Sequence, residues 1–192
     1  MKSNEPLNQW EIAIRFGFLS LLILGFFYPL AVTGIASSFF SFKANGSLLV
    51  EKGKVLGSEL LAQNTTSKAM FRYRPSAVTY TTIPSGASNL SPSSMDLKNL
   101  VEKRILELET AGISKDGCKE LLYTSGSGLD PHITPTCAYE QAKVLEKEGN
   151  VPLDKINELI LKHTEYPLFG FMGRERVNVT KLNFSWKQMN HE

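Results

Sequence analysis

Between Arg15 and Lys43 the chain carries no charged side chain. The run from Phe16 to Phe42 holds 27 residues, dense in Phe, Leu, Ile and Val. An α-helix rises about 1.5 Å per residue, so ~20 such residues cross a hydrocarbon layer ~30 Å thick. The run predicts one membrane-spanning helix over residues 12–38, after a short tail of residues 1–11. Residues 39–192 then form a single domain that the helix holds at a bilayer. A cleaved signal peptide has a shorter apolar region of about 7–15 residues. Ala36-Ser37-Ser38 imitates its cleavage site, but the run is too long. It reads as a retained anchor, ahead of a cleaved signal or a buried core helix. Gly25 and Pro29 do not oppose this, because membrane helices tolerate both.

Gly17, Gly25 and Gly34, with Ser20, Ala31 and Thr33, narrow parts of the helix. Small residues let a second helix approach closely in lipid. Ordinary membrane-helix composition explains them equally well at this stage. Trp10 and the cluster Phe39, Phe40, Phe42 suit the two interfaces. Lys2 and Arg15 stand before the span against Glu5 and Glu11, and Lys43, Lys52 and Lys54 follow it. Charge therefore does not orient the helix.

About 150 residues remain after the span, enough for one compact domain with its own core. A net charge of +2 with no basic stripe gives nucleic-acid binding little support. The two cysteines, Cys118 and Cys137, and three histidines fit no zinc spacing. Outside the cytoplasm the cysteines make either one disulfide or two free buried thiols. Asn45, Asn64, Asn178 and Asn183 begin Asn-x-Ser/Thr sequons. These mark glycosylation only in a secreted eukaryotic protein, and chance explains so short a pattern.

Mixed secondary structure is expected, an α+β fold behind the helix. Ser47–Val50 and Val55–Leu60 read as strands around a Lys52-Gly53 turn. Residues 74–94, rich in Pro, Ser, Gly, Thr and Asn, read as loop. A helix is predicted from Ser94 to Ala111, with Ser93 and Asp96 as a capping box and Leu97, Leu100, Val101, Ile105 and Leu108 as its stripe. Leu121–Thr124 reads as a strand. Thr134 and Pro135 open a second helix that ends before Gly149. A third covers Leu153–Thr164, and Val177–Trp186 reads as a strand or a strand followed by a helix.

Enzymatic templates fit poorly. Ser125-Gly126-Ser127-Gly128 lacks the spacing of a nucleophile elbow, a P-loop or a dinucleotide fingerprint. His132 lies close to Ser127 in sequence, which leaves a minor reading as a membrane-tethered serine hydrolase. The segment from Leu121 to Pro135 feeds a capped helix N-terminus that is able to hold an anion. A plain turn satisfied by Asp130 and Thr134 explains it as simply.

Ser127-Gly128-Leu129-Asp130, followed by Ile133-Thr134-Pro135, resembles the signature of the C subunit of the Kdp potassium-transporting ATPase. Asn45-Gly-Ser-Leu48, Gly57-Ser58 and Gln63-Asn64 resemble the family's early motifs. Phe71 with Arg74-Pro75-Ser76-Ala77 resembles its Arg-Pro-Ser-Ala element. Ser88-Asn89-Leu90, Gln141-Ala142, Val177-Asn178-Val179 and Leu182-Asn183 follow in the family's order, and Tyr28-Pro29-Leu30 fits within the span. The similarity covers nearly the whole chain. Tyr73 replaces the usual glycine before Arg-Pro-Ser-Ala, the loop after Ala77 is shortened, and the two cysteines lie outside the pattern.

The resemblance implies a non-catalytic subunit of a bacterial inner-membrane complex that imports potassium at the expense of ATP. Implied partners are a channel-like subunit, a P-type ATPase subunit and a small single-span subunit, besides membrane lipid. It also implies a cytoplasmic N-terminus and a periplasmic domain. The family's traditional role is that of a catalytic chaperone raising ATP affinity, through Gln141 and Ser127–Asp130, with Gln63, Asn64, Arg74, Pro75 and Thr134 as further nucleotide or partner contacts. No tightly bound cofactor is implied, only ATP through the complex. A periplasmic domain cannot touch cytosolic ATP, so an assembly or ion-entry role is the stronger expectation. In a multi-subunit transporter Gly17, Gly25, Pro29 and Gly34 read as a docking face. Against this stand a single-pass extracellular binding module or glycoprotein, and the hydrolase built on Ser127.

Overall fold

The computed structural model describes residues 8–190 except 66, 68 and 150. The first seven positions of the predicted tail, with Lys2 and Glu5, lie outside the described residues. The chain divides into two compact units between Ser47 and Leu48.

The first unit is one continuous apolar helix, Gln9–Phe39, 31 residues long. At about 1.5 Å per residue it reaches ~46 Å, ample for a bilayer core. None of its residues is buried by the protein. By length and composition the helix is apolar enough to cross a membrane. The helix comprises α1 (Gln9–Leu22), a π-helical segment (Ile23–Phe27) and α2 (Tyr28–Phe39). Asn8 caps its start, its side chain accepting from the Trp10 amide at 3.3 Å. The wide turn has a cause in Pro29, which has no amide hydrogen to offer the Gly25 carbonyl one turn earlier. Just before it, the Tyr28 amide reaches back five residues to the Ile23 carbonyl. A short helix α3 (Ser41–Ala44) follows, and the chain leaves it through Gly46 and Ser47, both at positive φ (84° and 49°).

The second unit opens with an antiparallel hairpin, β1 (Leu48–Glu51) and β2 (Lys54–Ser58), with a bulge after Leu49. Lys52 and Gly53 both take positive φ, the tight turn whose twist matches paired strands. A separate antiparallel sheet has the order β3 (His132–Ile133), β5 (Arg176–Asn178), β4 (Thr164–Glu165). Helices α4 (Met95–Thr110), α5 (Pro135–Glu148), α6 (Leu153–Lys162) and α7 (Val179–Asn190) complete the unit. The core gathers Phe71, Ile156, Ile160, Val177, Val179, Leu182 and Trp186, all almost without solvent contact.

Several local expectations need correction. Leu121–Thr124 is not a strand; Lys119–Leu122 form a 3₁₀ turn. Leu121 and Leu122 are both buried, which the alternating faces of a half-exposed strand forbid. Ser94, not Ser93, caps α4, its Oγ accepting from the Leu97 amide, while the Ser93 hydroxyl bonds Ser91. Leu100 stays largely exposed, so the buried stripe of α4 runs through Val101, Ile105 and Leu108. The third helix stops at Lys162, because Thr164 joins the sheet opposite Val177. The C-terminal segment is a strand followed by a helix, and Cys118 and Cys137 are joined by a disulfide.

Candidate functional site

Phe71 and Arg72 cross the domain as extended chain with no strand beside them. Buried backbone groups without partners are costly, so something must stand in for a β-ladder. Two side-chain amides do. Asn183 on α7 accepts from the Phe71 amide and donates to the Phe71 carbonyl, each at 2.9 Å. Gln141 on α5 does the same for Arg72, at 2.7 and 3.3 Å. One helix grips each of two consecutive residues. Tyr73 continues the anchorage, its hydroxyl donating to Thr180 Oγ1 at 3.1 Å.

The Arg-Pro-Ser-Ala element then meets the Ser-Gly-Leu-Asp turn. Arg74 Nη1 lies 3.4 Å from Asp130 Oδ2, and its Nη2 donates to the Thr124 carbonyl at 3.2 Å. The Ser125 amide donates to the Pro75 carbonyl, and the Gly86 amide to the Ser127 carbonyl. Gly128 sits at φ +72°, and a Cβ there would lie 2.9 Å from the Gly86 carbonyl oxygen. Only glycine permits both that backbone and that approach.

Asp130 hands the network on to the sheet. Its Oδ1 accepts from the His132 amide at 3.1 Å and faces His132 Nδ1 at 3.0 Å. His132 Nε2 is 3.8 Å from Glu165, which also pairs with Arg176 at 2.9 Å and Lys181 at 3.2 Å. Lys181 reaches Glu59 at 3.1 Å as well. Burial pushes the Asp130 carboxyl upward, but hydrogen bonds from His132 and the Arg74 charge outweigh it and hold the group low. Glu165 is likewise held low despite burial, by Arg176 and Lys181. Burial pulls Lys181 downward, yet its two carboxylates keep its pKa raised.

The residues expected to contact nucleotide or partners thus do not gather at one place. Arg74, Pro75, Ser127, Gly128, Leu129 and Asp130 come together; the Leu129 carbonyl accepts from the Ala62 amide at 2.8 Å. Gln63 lies elsewhere, reaching the Leu56 carbonyl beside the hairpin, and Asn64 is exposed. Gln141 lines a cleft of about 510 Å³ with Arg72, Lys103 and Glu148, a volume of ligand size. Its amide oxygen and nitrogen are nevertheless committed to Arg72. The N-terminus of α5 already holds an anion, because Glu120 Oε1 accepts from the Thr134 amide at 2.8 Å and its hydroxyl at 2.6 Å. Gln141 and Thr134 are thus engaged within the domain, while Gln63, Asn64 and Ser127 are exposed.

Two alternatives lose their geometry. The Ser127 hydroxyl accepts from the Leu129 amide and His132 faces Asp130 and Glu165, and among the described residues no hydrogen bond joins Ser127 to His132. Asn178 and Asn183, half of the sequons, are buried with their amide nitrogens bonded to Glu59 and Phe71, where no glycan fits. Sequence reading missed Glu59, Glu120, Glu165 and Lys181. A signal existed in Val177-Asn-Val-Thr-Lys-Leu-Asn183, where Asn178, Thr180 and Asn183 interrupt an apolar pattern and are all buried.

Residues 10–188 match the family described as the K+-transporting ATPase, c chain, KdpC. Over 185 residues the chain is 40% identical to the potassium-transporting ATPase KdpC subunit of Acidobacterium capsulatum, covering 95% of this chain and all of that protein. The KdpC subunit of a Bacillus cereus strain is 39% identical over 92% of the chain and 93% of its own length. That of a Synechocystis strain is 37% identical over 93% and 97%. With the anchor, the motifs and their order all inside the matched span, this chain belongs to the KdpC family.

Proposed function

We propose that the chain is the non-catalytic, membrane-anchored accessory subunit of an ATP-driven potassium importer in a bacterial inner membrane. The observation that carries this is the match over residues 10–188, which takes in the apolar helix together with the domain. The N-terminus lies in the cytoplasm and the domain in the periplasm. Its partners are a channel-like subunit, a P-type ATPase subunit and a small single-span subunit. The helix docks through the side bearing Gly17, Gly25, Pro29 and Gly34, and the domain stabilises the assembly beside the ion entry.

The chaperone role, in which the subunit raises ATP affinity, fits this placement only as an indirect effect. Gln141, Thr134, Asp130 and the Ser127 hydroxyl are already bonded within the domain, which supports a scaffolding role for the shared motifs. ATP then binds the catalytic subunit alone, and this chain acts through contacts that bias it. A tagged chain should co-purify from membranes with two large membrane subunits. Ser127→Cys, at an exposed position, should react with an impermeant maleimide added outside spheroplasts. Labelling only after permeabilisation would overturn the orientation, and purification of the chain alone would overturn the assembly role.

A further inference from the structure

Between β4 and β5 the segment Tyr166–Met172 stands out from the domain as an apolar tongue. Tyr166, Leu168, Phe169, Phe171 and Met172 are all exposed, Phe169 at 78% and Phe171 at 77%. The tongue is an ordered turn: Gly170 N–H bonds the Pro167 carbonyl, Met172 N–H bonds the Leu168 carbonyl, both at 3.0 Å, and Phe169 and Gly170 take positive φ. That turn sets the two phenyl rings side by side, 6.5 Å between centroids. Leaving such a surface in water is unfavourable, and clustered exposed apolar groups mark contact surfaces.

The domain's own contacts say what lies near the tongue. Leu48, where the chain enters the domain from the membrane helix, pairs with Ser58. The next residue, Glu59, shares Lys181 with Glu165, at 3.1 and 3.2 Å. Glu165 is followed directly by Tyr166. The root of the tongue is therefore tied through Lys181 to Glu59, the residue after the Ser58 that pairs with Leu48. The hairpin also exposes Leu48, Val50 and Val55. Behind the tongue come Arg174, which has no ion-pair partner among the described residues, and Arg176, whose paired side chain is still 58% exposed. Aromatic and aliphatic tips flanked by charges of both signs, Glu165 and Glu175 with Arg174 and Arg176, suit the boundary between acyl chains and headgroups.

We propose that Tyr166–Met172 is a second membrane contact, inserting Leu168, Phe169 and Phe171 among the headgroups of the bilayer that the helix spans. The proposal rests on the anchored reading above, and the test separates the two. The full chain carrying Phe171→Cys, labelled with an environment-sensitive fluorophore, is reconstituted in vesicles of phosphatidylethanolamine and phosphatidylglycerol. The native cysteines are tied up in their disulfide. The expected result is blue-shifted emission that is quenched by lipids with a nitroxide near the headgroup. The same label at Ser93, an exposed site on the α4 side, should not be quenched. Quenching at a Phe39→Cys control, at the end of the membrane helix, but not at position 171 overturns the tongue contact and leaves the anchor intact. Absence at both overturns the anchor and the proposal with it. A label at 171 that becomes shielded only when the large subunits are added assigns the tongue to a protein partner instead, and overturns the lipid contact.

Discussion

Gln141 and Asn183 each hold both the N–H and the C=O of one backbone unit, so truncating either strands two polar groups at once. An unsatisfied buried group costs about 1–3 kcal/mol. Gln141→Ala and Asn183→Ala should each lower unfolding free energy by about 2–6 kcal/mol in denaturant titrations of the chain alone, with no nucleotide present. An unchanged midpoint for Gln141→Ala would show that its bonds to Arg72 are dispensable. Asp130 gives a pH prediction. Its folded pKa is lowered, so its contribution is complete above the unfolded value, ~4 for an aspartate, and is lost as pH falls through the lower folded value. Glu165 acts with the same sign. Stability should therefore decline below about pH 4, and Asp130→Asn should flatten that decline in acid titrations followed by circular dichroism.

At the level of elements, the disulfide ties the 3₁₀ turn to the first turn of α5 across 19 residues of sequence. Closing a loop of that size constrains the unfolded chain by about 3 kcal/mol. Both cysteines are fully buried, so a thiol reductant should act only as the domain opens. The expected outcome is a lower melting temperature in reductant, matched by the double variant Cys118→Ser, Cys137→Ser. The membrane helix supports a different experiment. A Cβ at Gly34 meets nothing within 4 Å, and at Gly25 only the flexible end of Leu21 at 3.3 Å. Gly25→Leu and Gly34→Leu should leave insertion intact while reducing co-purification with the large subunits. If such variants assemble fully, the helix is a tether only.

Across the whole domain, the extended segment around Phe71 is held by α5, α7 and the Ser127–Asp130 turn, through partners 56 to 112 residues away in sequence. Trp186 seals that junction: its Nε1 donates to the Ala69 carbonyl at 2.8 Å and its ring packs edge-on to Phe71, 6.2 Å between centroids. Trp186→Ala should cost about 3–5 kcal/mol, as large aromatic-to-alanine changes in cores do. Because the residue joins α7 to the segment that α5 also grips, the loss should appear as one shifted cooperative transition by both far-ultraviolet circular dichroism and protease resistance. Separate transitions by the two probes would show that the helices unfold independently.

The apolar span, the caps at Thr134 and Asn8, the hairpin around Lys52-Gly53 and the position of α5 depend on near neighbours along the chain. Asn8 apart, which was not singled out from sequence, these were legible as hydrophobic length, cap chemistry and turn residues. The order of short motifs was legible too, and pointed to the family. What those motifs do was not legible. Gln141, a nucleotide or partner contact by resemblance alone, clamps Arg72; Thr134, readable as a plain turn or as part of an anion site, bonds Glu120. Leu121–Thr124 reads as a strand and folds as a turn because both leucines find core on one side. The disulfide was an even alternative until α5 carried Cys137 up to Cys118. Local conformation follows from steric and hydrogen-bonding choices within a few residues. The partner of a polar group is decided only when distant segments pack, because burial makes every donor and acceptor find one.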